Sequence, residues 1–229
     1  MENIQIIYED NHLIAVNKPA GWLVQGDETG DQPLSDWVKQ YIKVRYGKPG
    51  AVFLGVIHRI DRPVSGVVIF ARTSKALERM NRLFQERKIE KTYLAIVEER
   101  PKQLEGRLVH YLEKDSSRNR VHVYKQQKGK SKRSELTYQL IGGLGDHHLL
   151  KVQPITGRSH QIRGQLAKIG SPIRGDVKYG ANRKNYGGFI HLHCQEMSFI
   201  HPVKKEPVSI RADKPDEQIW RLFEDEKRF

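Results

Sequence analysis

The sequence has 229 residues, of which 40 are Lys or Arg and 27 are Asp or Glu, so its formal net charge is +13 at pH 7. This charge is typical of nucleic-acid-binding proteins, and the absence of a helix with one wholly basic face argues against binding to a membrane surface. The single cysteine, Cys194, excludes an internal disulfide framework and predicts a cytoplasmic location. The apolar runs are shorter than the roughly 18 residues of a membrane-spanning helix, so no membrane association is expected.

The N-terminal region predicts two strands, a turn and a helix. Apolar runs at residues 4–8 and 13–16 flank a turn-forming Glu-Asp-Asn sequence and indicate a hairpin or two neighbouring strands. The turn at residues 18–21 contains Pro and Gly, and such turns are usually structural. Apolar residues at helical spacing then predict an amphipathic helix over residues 32–45, with Asp31 as its N-cap and Trp37 in the core.

The segment at residues 58–66 combines a carboxylate with several cations. Asp61 lies between Arg59 and Arg62, which favour its ionised form, and an apolar run at residues 67–71 predicts a buried strand directly after this loop. Pro63 and Gly66 indicate a defined loop rather than a helix. This pattern is typical of a catalytic carboxylate at the end of a sheet; a surface ion-pair loop that caps a strand is the alternative interpretation.

The middle of the chain predicts a second helix, several strands and a basic hairpin. An apolar face from Ala76 to Phe84 indicates the helix, and Tyr93 is placed at the entrance of a strand at residues 94–97. Residues 113–133 contain eight Lys or Arg and two acidic residues, a net charge of +6, and we call this segment the basic arm. We interpret the basic arm as a long hairpin, with a turn-like segment at residues 126–131, that contacts nucleic-acid phosphates; a merely solvated charge run is the alternative interpretation. Its phosphate-binding candidates are Lys128, Lys130 and Lys132.

A second chemical motif begins at Thr156 and opens a helix that ends at Gly170. Two arginines at a helix N-terminus form a natural anion site. Strands are predicted at residues 135–141 and 148–152 before this motif, and a short helix around Trp220 after it. His191 and His193 share a strand face, but their spacing to other ligands matches no common zinc site, so no metal site is predicted.

Several of these segments resemble motifs of one enzyme family. Residues 58–66 read His-Arg-Ile-Asp-Arg-Pro-Val-Ser-Gly and closely resemble the His-Arg-Leu-Asp-x-x-Thr-Ser-Gly signature of the RluA-type RNA pseudouridine synthases, with Ile60 for Leu and Val64 for Thr. The other similarities are the Asn-Lys-Pro-x-Gly turn at 17–21, the Lys-x-Tyr motif at 91–93, the Gly-Arg-x-His-Gln-Ile-Arg motif at 157–163 and the Gly-Asp-x-x-Tyr-Gly element at 175–180. The chain departs from the family at Gly164 and Gln165, where an apolar residue and a histidine are common.

The resemblance implies a set of roles. Asp61 is expected to be the catalytic aspartate, Arg163 to pair with it, and Tyr93 to stack on the target uracil. Lys18 is an RNA-contact candidate by the same resemblance. The positions nearest in sequence to the two motifs are the local phosphate-contact candidates: His58, Arg59, Arg62, Arg158 and His160.

The predicted fold is α+β: one catalytic domain over residues 1–229, with a mixed, largely antiparallel central sheet, flanking helices and an RNA-binding catalytic cleft. The first strand begins at residue 4, so no N-terminal accessory RNA-binding domain is expected. The predicted function is conversion of a specific uridine in structured rRNA or tRNA to pseudouridine, with no cofactor, no metal and no obligatory protein partner. The alternatives are a non-catalytic RNA-binding module and a nucleoside hydrolase or glycosidase, but the latter normally needs a paired acid or a metal.

Overall fold

The computed structural model describes residues 4–223, which contain short strands interspersed with helices. The strands are β1 (Gln5–Glu9), β2 (Leu13–Lys18), β3 (Gly55–Val56), β4 (Ser65–Ala71), β5 (Glu90–Val97), β6 (Glu105–Asp115), β7 (Arg120–Tyr124), β8 (Lys132–Leu144), β9 (His147–Pro154), β10 (Leu192–Ile200) and β11 (Pro207–Arg211). The helices are α1 (Leu34–Arg45), α2 (Ser74–Gln85), α3 (Gln161–Lys168) and α4 (Gln218–Arg221). Within the described residues, 4–90 and 194–213 form one compact unit, and 91–193 and 214–223 form a second.

The first unit contains the strand order β1-β2-β4-β10, with β3 paired to β4 and β11 paired to β10. The β1–β2, β2–β4, β3–β4 and β10–β11 pairs are antiparallel. All seven residues of β4 are buried, as its uninterrupted apolar sequence predicts. The loop that carries Asp61 therefore leads directly into a rigid, fully buried strand.

The glycine at the start of β4 is required by a close approach of two strands. Gly66 has a φ of +114°, and a Cβ atom at this position would lie 2.2 Å from the carbonyl oxygen of Cys194. Any side chain would therefore clash with backbone atoms as well as strain the dihedral angle.

The two helices of the first unit form where they are predicted, with differences at α1. Thr73 caps α2 by accepting a hydrogen bond from the backbone N–H of Ala76 at 3.2 Å. The N-cap of α1 is Pro33 rather than Asp31, and Trp37 is half-buried rather than in the core. The Trp37 ring stacks on Tyr41 with centroids 5.8 Å apart.

The second unit contains the strand order β5-β9-β8-β6-β7, in which all the neighbouring pairs are antiparallel. A hairpin forms in the basic arm, but its turn is at residues 116–119, where β6 pairs with β7, rather than at residues 126–131, because β8 pairs with β6. β8 and β9 extend further than predicted: β8 continues past Gly142 and Gly143 through a register shift. The predicted loop at 142–146 is therefore only a tight turn at Gly145 and Asp146.

Two helices pack within the second unit. A Cβ atom at Gly164 of α3 would lie 2.9 Å from a methyl carbon of Val123 and 3.1 Å from one of Val121, so the glycine allows α3 to approach β7 closely. In α4, Trp220 is 1% exposed and packs in a buried cluster with Leu94, Ile96, Leu149 and Phe223. The predicted C-terminal helix on the core is confirmed.

The α+β class and the dominance of antiparallel pairing are confirmed. No helix among residues 4–223 is long and apolar enough to span a membrane. The single catalytic domain over residues 1–229 stays a prediction.

Candidate active site

The Asp61 loop presents a half-buried carboxylate between two exposed cations. Ile60 and Val64 are buried and anchor the loop on either side of Asp61. The backbone N–H of Val64 donates to the carbonyl of Asp61 at 3.0 Å and closes a tight turn. Arg59 is exposed and makes no ion pair within the described part of the chain, so it stays a phosphate-contact candidate. Val64, which stands where the family signature has Thr, fixes the loop by burying its side chain.

Lys18 lies behind the Asp61 loop with no exposed surface. Its Nζ donates to the carbonyls of Pro19, Trp22 and Arg62 at 3.0, 2.9 and 3.1 Å, so it ties the turn at 18–22 to the loop. Burial lowers the pKa of Lys18 to about 7, while the negative charge of Asp61 opposes that change. The expectation that Lys18 contacts RNA is therefore wrong for this conformation, because a phosphate cannot reach a fully buried ammonium group.

Two further residues of the first motif also hold the loop. The Nε2 atom of His58 accepts a hydrogen bond from the backbone N–H of Ile69 at 3.0 Å, and its ring stacks on Phe84 at 5.2 Å. Arg62 donates from Nε to the carbonyl of Gly21 at 2.9 Å, and its Nη2 atom lies 2.7 Å from a carboxylate oxygen of Asp31. His58 thus aligns the loop with β4 and α2, and Arg62 fastens it to the preceding turn. Roughly half of the Arg62 side chain stays exposed, at 47%.

Arg163 forms a buried, two-pronged ion pair in the second unit. Its Nε and Nη2 atoms donate to the two carboxylate oxygens of Asp176 at 2.7 and 2.8 Å. Arg163 is 5% and Asp176 2% exposed, and the guanidinium carbon lies 5.1 Å from the ring centroid of Tyr179. This geometry fixes the plane of the guanidinium group, and Nη1 is the nitrogen that takes no part in the Asp176 pair.

The turn before α3 is held by a network of hydrogen bonds. The Tyr179 hydroxyl accepts from the backbone N–H of Val121 at 2.8 Å and lies 2.8 Å from Nδ1 of His160, to which it can donate its proton. Burial raises the pKa of Tyr179, so the hydroxyl keeps that proton. His160 has a φ of +49° and is half-buried, so its ring orients the turn, whereas Arg158 is exposed. Of these two RNA-contact candidates, Arg158 is the more accessible.

Sequence reasoning assigned no role to Asp176 and Tyr179, which belong to the Gly-Asp-x-x-Tyr-Gly element and contact Arg163. The sequence carried no signal for the Arg163–Asp176 pair, because the burial of Asp176 is visible only in the structure. Tyr93 was placed at a strand entrance, but β5 begins at Glu90, so Tyr93 lies within the strand and is half-buried. Its register partner is Val152 of β9.

The basic arm is accessible over most of its length. Lys128, Lys130 and Lys132 are exposed and make no ion pair with any residue in the described range 4–223. The ammonium group of Lys128 lies 5.3 Å from the ring centroid of Tyr124. Val121 is buried with Leu112 and Tyr179, so the hairpin is anchored on one face. The hairpin is therefore anchored, and Lys128 and Lys130 lie on the loop that follows it, where a polyanion can reach them.

The His191 and His193 pair does not form a metal centre in this structure. The Nε2 atom of His191 lies 3.1 Å from a carboxylate oxygen of Glu217, and the ring of His193 contacts Trp220 at 6.0 Å. Across residues 4–223, no three His, Cys, Asp or Glu side chains are grouped so that they could hold a metal ion.

Comparison with known families decides the class of protein. Residues 12–168 match the family model described as RNA pseudouridylate synthase. The chain belongs to this family. It is 31% identical over 224 residues to ribosomal large subunit pseudouridine synthase D of Zymomonas mobilis, covering 93% of the chain and 70% of that protein. It is also 31% identical over 240 residues to tRNA pseudouridine synthase C of Yersinia pestis, covering 96% of the chain and 91% of that protein.

Solved structures support the same fold. The human RNA pseudouridylate synthase domain containing 4 matches with a TM-score of 0.75 and 23% identity, over 92% of the chain and 88% of that structure. The predicted family and enzyme class, an isomerase that acts on RNA, are confirmed by the sequence matches.

Proposed function

We propose that this protein converts a specific uridine of rRNA or tRNA to pseudouridine and that Asp61 is its catalytic carboxylate. The proposal rests on the structure of the Asp61 loop. Asp61 is half-buried and accessible to solvent. Lys18 donates a hydrogen bond to the carbonyl of Arg62, and Arg62 donates one to the carbonyl of Gly21, so the backbone that carries Asp61 is held in place. The alternative interpretation, a surface ion-pair loop, gives no reason for the fully buried Lys18 that supports the loop from beneath. Members of this family act on both classes of RNA, as the names of the relatives state.

The reaction breaks the bond between N1 of uracil and C1′ of ribose, turns the base, and joins it again through C5. Positive charge develops on the sugar as the first bond breaks, and a nearby carboxylate stabilises it. Asp61 would either attack C1′ to form a covalent intermediate or remove the proton at C2′. Both routes need an ionised carboxylate.

Arg163 and Tyr93 would complete the site. We assign to Arg163, which Asp176 orients through Nε and Nη2, the task of pairing with Asp61. Such a pair would aim the carboxylate and keep it charged. Tyr93 would stack on the uracil while it is detached, and stacking of this kind is worth about 1–3 kcal/mol per base.

The RNA must offer an unstacked uridine, because the reacting atoms are hidden inside a duplex. Extrusion of the base costs a few kcal/mol, which contacts to phosphates can offset. The exposed cations Arg59, Arg158, Lys128, Lys130 and Lys132 are accessible for this purpose. A cytoplasmic location stays a prediction from the single cysteine.

The test is a map of pseudouridine across rRNA and tRNA from cells with and without the gene, followed by the reaction of purified protein with a transcript of the site that is lost. The proposal predicts that at least one uridine depends on the gene and is modified in vitro without cofactor or metal. A protein that binds these RNAs but modifies no uridine in either experiment would instead be a non-catalytic RNA-binding module.

A further inference from the structure

An open pocket of about 460 Å³ lies in the second unit, and none of the predicted site residues lines it. This volume falls within the range of small-molecule sites, which is roughly 300–1,000 Å³. Its walls include Arg174, Tyr186, Phe189, His191 and Glu217. The pocket combines an aromatic ring, a guanidinium group and a carboxylate around one concave surface.

The pocket lies on the face of the sheet that Tyr93 does not share. Leu94 of β5 packs in the Trp220 cluster, and the pocket residue His191 contacts Trp220 edge-on at 5.8 Å. Side chains alternate between the two faces of a strand, so Tyr93 points away from Trp220. A nucleotide in this pocket would therefore not be the uridine on which Tyr93 is proposed to stack.

The side chain of Arg174 is an unsatisfied donor at the pocket wall. Its Nε atom has almost no accessible surface and no hydrogen-bond partner. Among residues 4–223, only the backbone groups of Arg174 form hydrogen bonds, to Ile96, Asn185 and His191. Arg174 lines the pocket and is partly exposed, so the accessible part of its guanidinium group can donate to an anion or a base carbonyl there.

Tyr186 is presented on a loop whose backbone is fixed. Its side chain is fully exposed, while the neighbouring Asn185 donates from Nδ2 to the carbonyl of Phe189 at 3.1 Å and lies 3.0 Å from Nδ1 of His191. Gly187, with a φ of +73°, lets the loop turn tightly, and a Cβ atom there would lie 2.8 Å from the ring of Phe189. The ring of Tyr186 is thus available for stacking without any need to order the loop first.

The charges around the pocket favour an anionic aromatic ligand. Glu217 is hydrogen-bonded to His191, and the cations Arg174 on the pocket wall and Arg183 and Lys184 on the same loop outnumber this carboxylate. We propose that the pocket binds a second nucleotide of the substrate RNA, with its base stacked on Tyr186 and its phosphate or base carbonyl bonded to Arg174. This inference rests on the proposed function, because it takes RNA to be the substrate.

A direct test uses adenosine 5′-monophosphate, which cannot undergo the uridine reaction, titrated into the intact protein by ligand-observed NMR. The wild type is expected to bind it, and Tyr186→Ala and Arg174→Gln are each expected to weaken binding by about fivefold or more. Tyr186→Phe retains the ring and should retain binding, and Lys102→Gln is a control that removes one exposed charge elsewhere in the same unit. Equal binding by the wild type and Tyr186→Ala, or preference for an acidic peptide over the nucleotide, would overturn the inference.

The same variants are then compared on a validated RNA substrate. Loss of the Tyr186 ring should raise KM by a similar factor while kcat at saturating RNA changes little, because the pocket does not hold the reacting base. If Tyr186→Ala leaves KM unchanged while the wild type forms pseudouridine, this inference fails and the proposed function stands. If adenosine monophosphate binds in the Tyr186-dependent manner but no RNA is modified, the proposed function fails and the nucleotide pocket stands.

Discussion

The Asp61 loop and helix α3, which carries Arg163, each present a charged side chain, but they hold it in opposite ways. At Asp61 the supporting bonds go to the backbone: Lys18 and Arg62 bind carbonyl groups, and the carboxylate stays half-exposed. At Arg163 the support goes to the charge itself, because Asp176 takes two of its three nitrogens in a buried pair. Removal of the Asp61 charge should therefore affect chemistry, and removal of the Arg163 charge should affect folding first.

The largest expected effect on stability is at Arg163. Arg163→Met leaves Asp176 as an uncompensated buried carboxylate, which costs about 3–5 kcal/mol of unfolding free energy. The matched control is Arg62→Met, because the Arg62–Asp31 pair is about half-exposed and such pairs contribute roughly 0–1 kcal/mol. Urea denaturation of both variants measures the difference. Equal losses for the two would show that the regions are not held differently.

A double variant sharpens this result. Arg163→Met combined with Asp176→Leu removes both charges, so much of the lost stability should return while pseudouridine formation does not. A double variant that recovered activity as well would assign Arg163 a purely structural role.

The basic arm is expected to affect RNA binding rather than folding. Replacement of Lys128, Lys130 and Lys132 by Gln should weaken RNA binding and reduce the slope of log affinity against log salt by about two to three units, because each phosphate contact contributes roughly 0.7–0.9. The control replaces the exposed Lys43, Lys48 and Lys75 by Gln and so removes the same net charge from the first unit. Identical slopes for the two triple variants would show that the arm is only solvated.

The smallest expected effect is the pH dependence contributed by Lys18. Its pKa is about 7 when folded and near 10.5 when unfolded, so between these values the unfolded chain binds more protons and stability rises with pH. The slope approaches at most about 1.4 kcal/mol per pH unit. The stability of the wild type relative to Lys18→Met should therefore increase from pH 7 to pH 9 in urea denaturation. A relative stability that falls over this range would contradict the burial of the amine.

The sequence predicted those features that depend on periodicity or on uninterrupted runs. The helical spacing of α2, the apolar run of β4 and the alternating valines of β7 each determine an element locally, and all three formed. The close packing at Gly164 was visible only as an unusual glycine in a helix, since its cause lies in Val121 and Val123 on another element.

The predictions from sequence that were wrong or incomplete concern residues whose surroundings are formed by distant parts of the chain. Lys18 is a residue type that is almost never fully buried, and its carbonyl partners at Trp22 and Arg62 follow no periodic pattern. Asp176 meets Arg163 through a turn, so no helical or strand spacing indicated the pair. The start of β5 at Glu90 was missed because its first residues are polar, although they pair in the sheet.

The central claim is that the Asp61 carboxylate performs chemistry on a loop that other residues hold in place. Its most direct test is single-turnover pseudouridine formation by Asp61→Asn on a validated RNA, with enzyme in excess and RNA affinity measured in parallel. The account predicts no detectable product, an RNA affinity close to that of the wild type, and a urea midpoint that changes much less than that of Arg163→Met, because the amide has nearly the same shape but no charge. Product formation at a rate near that of the wild type would contradict it.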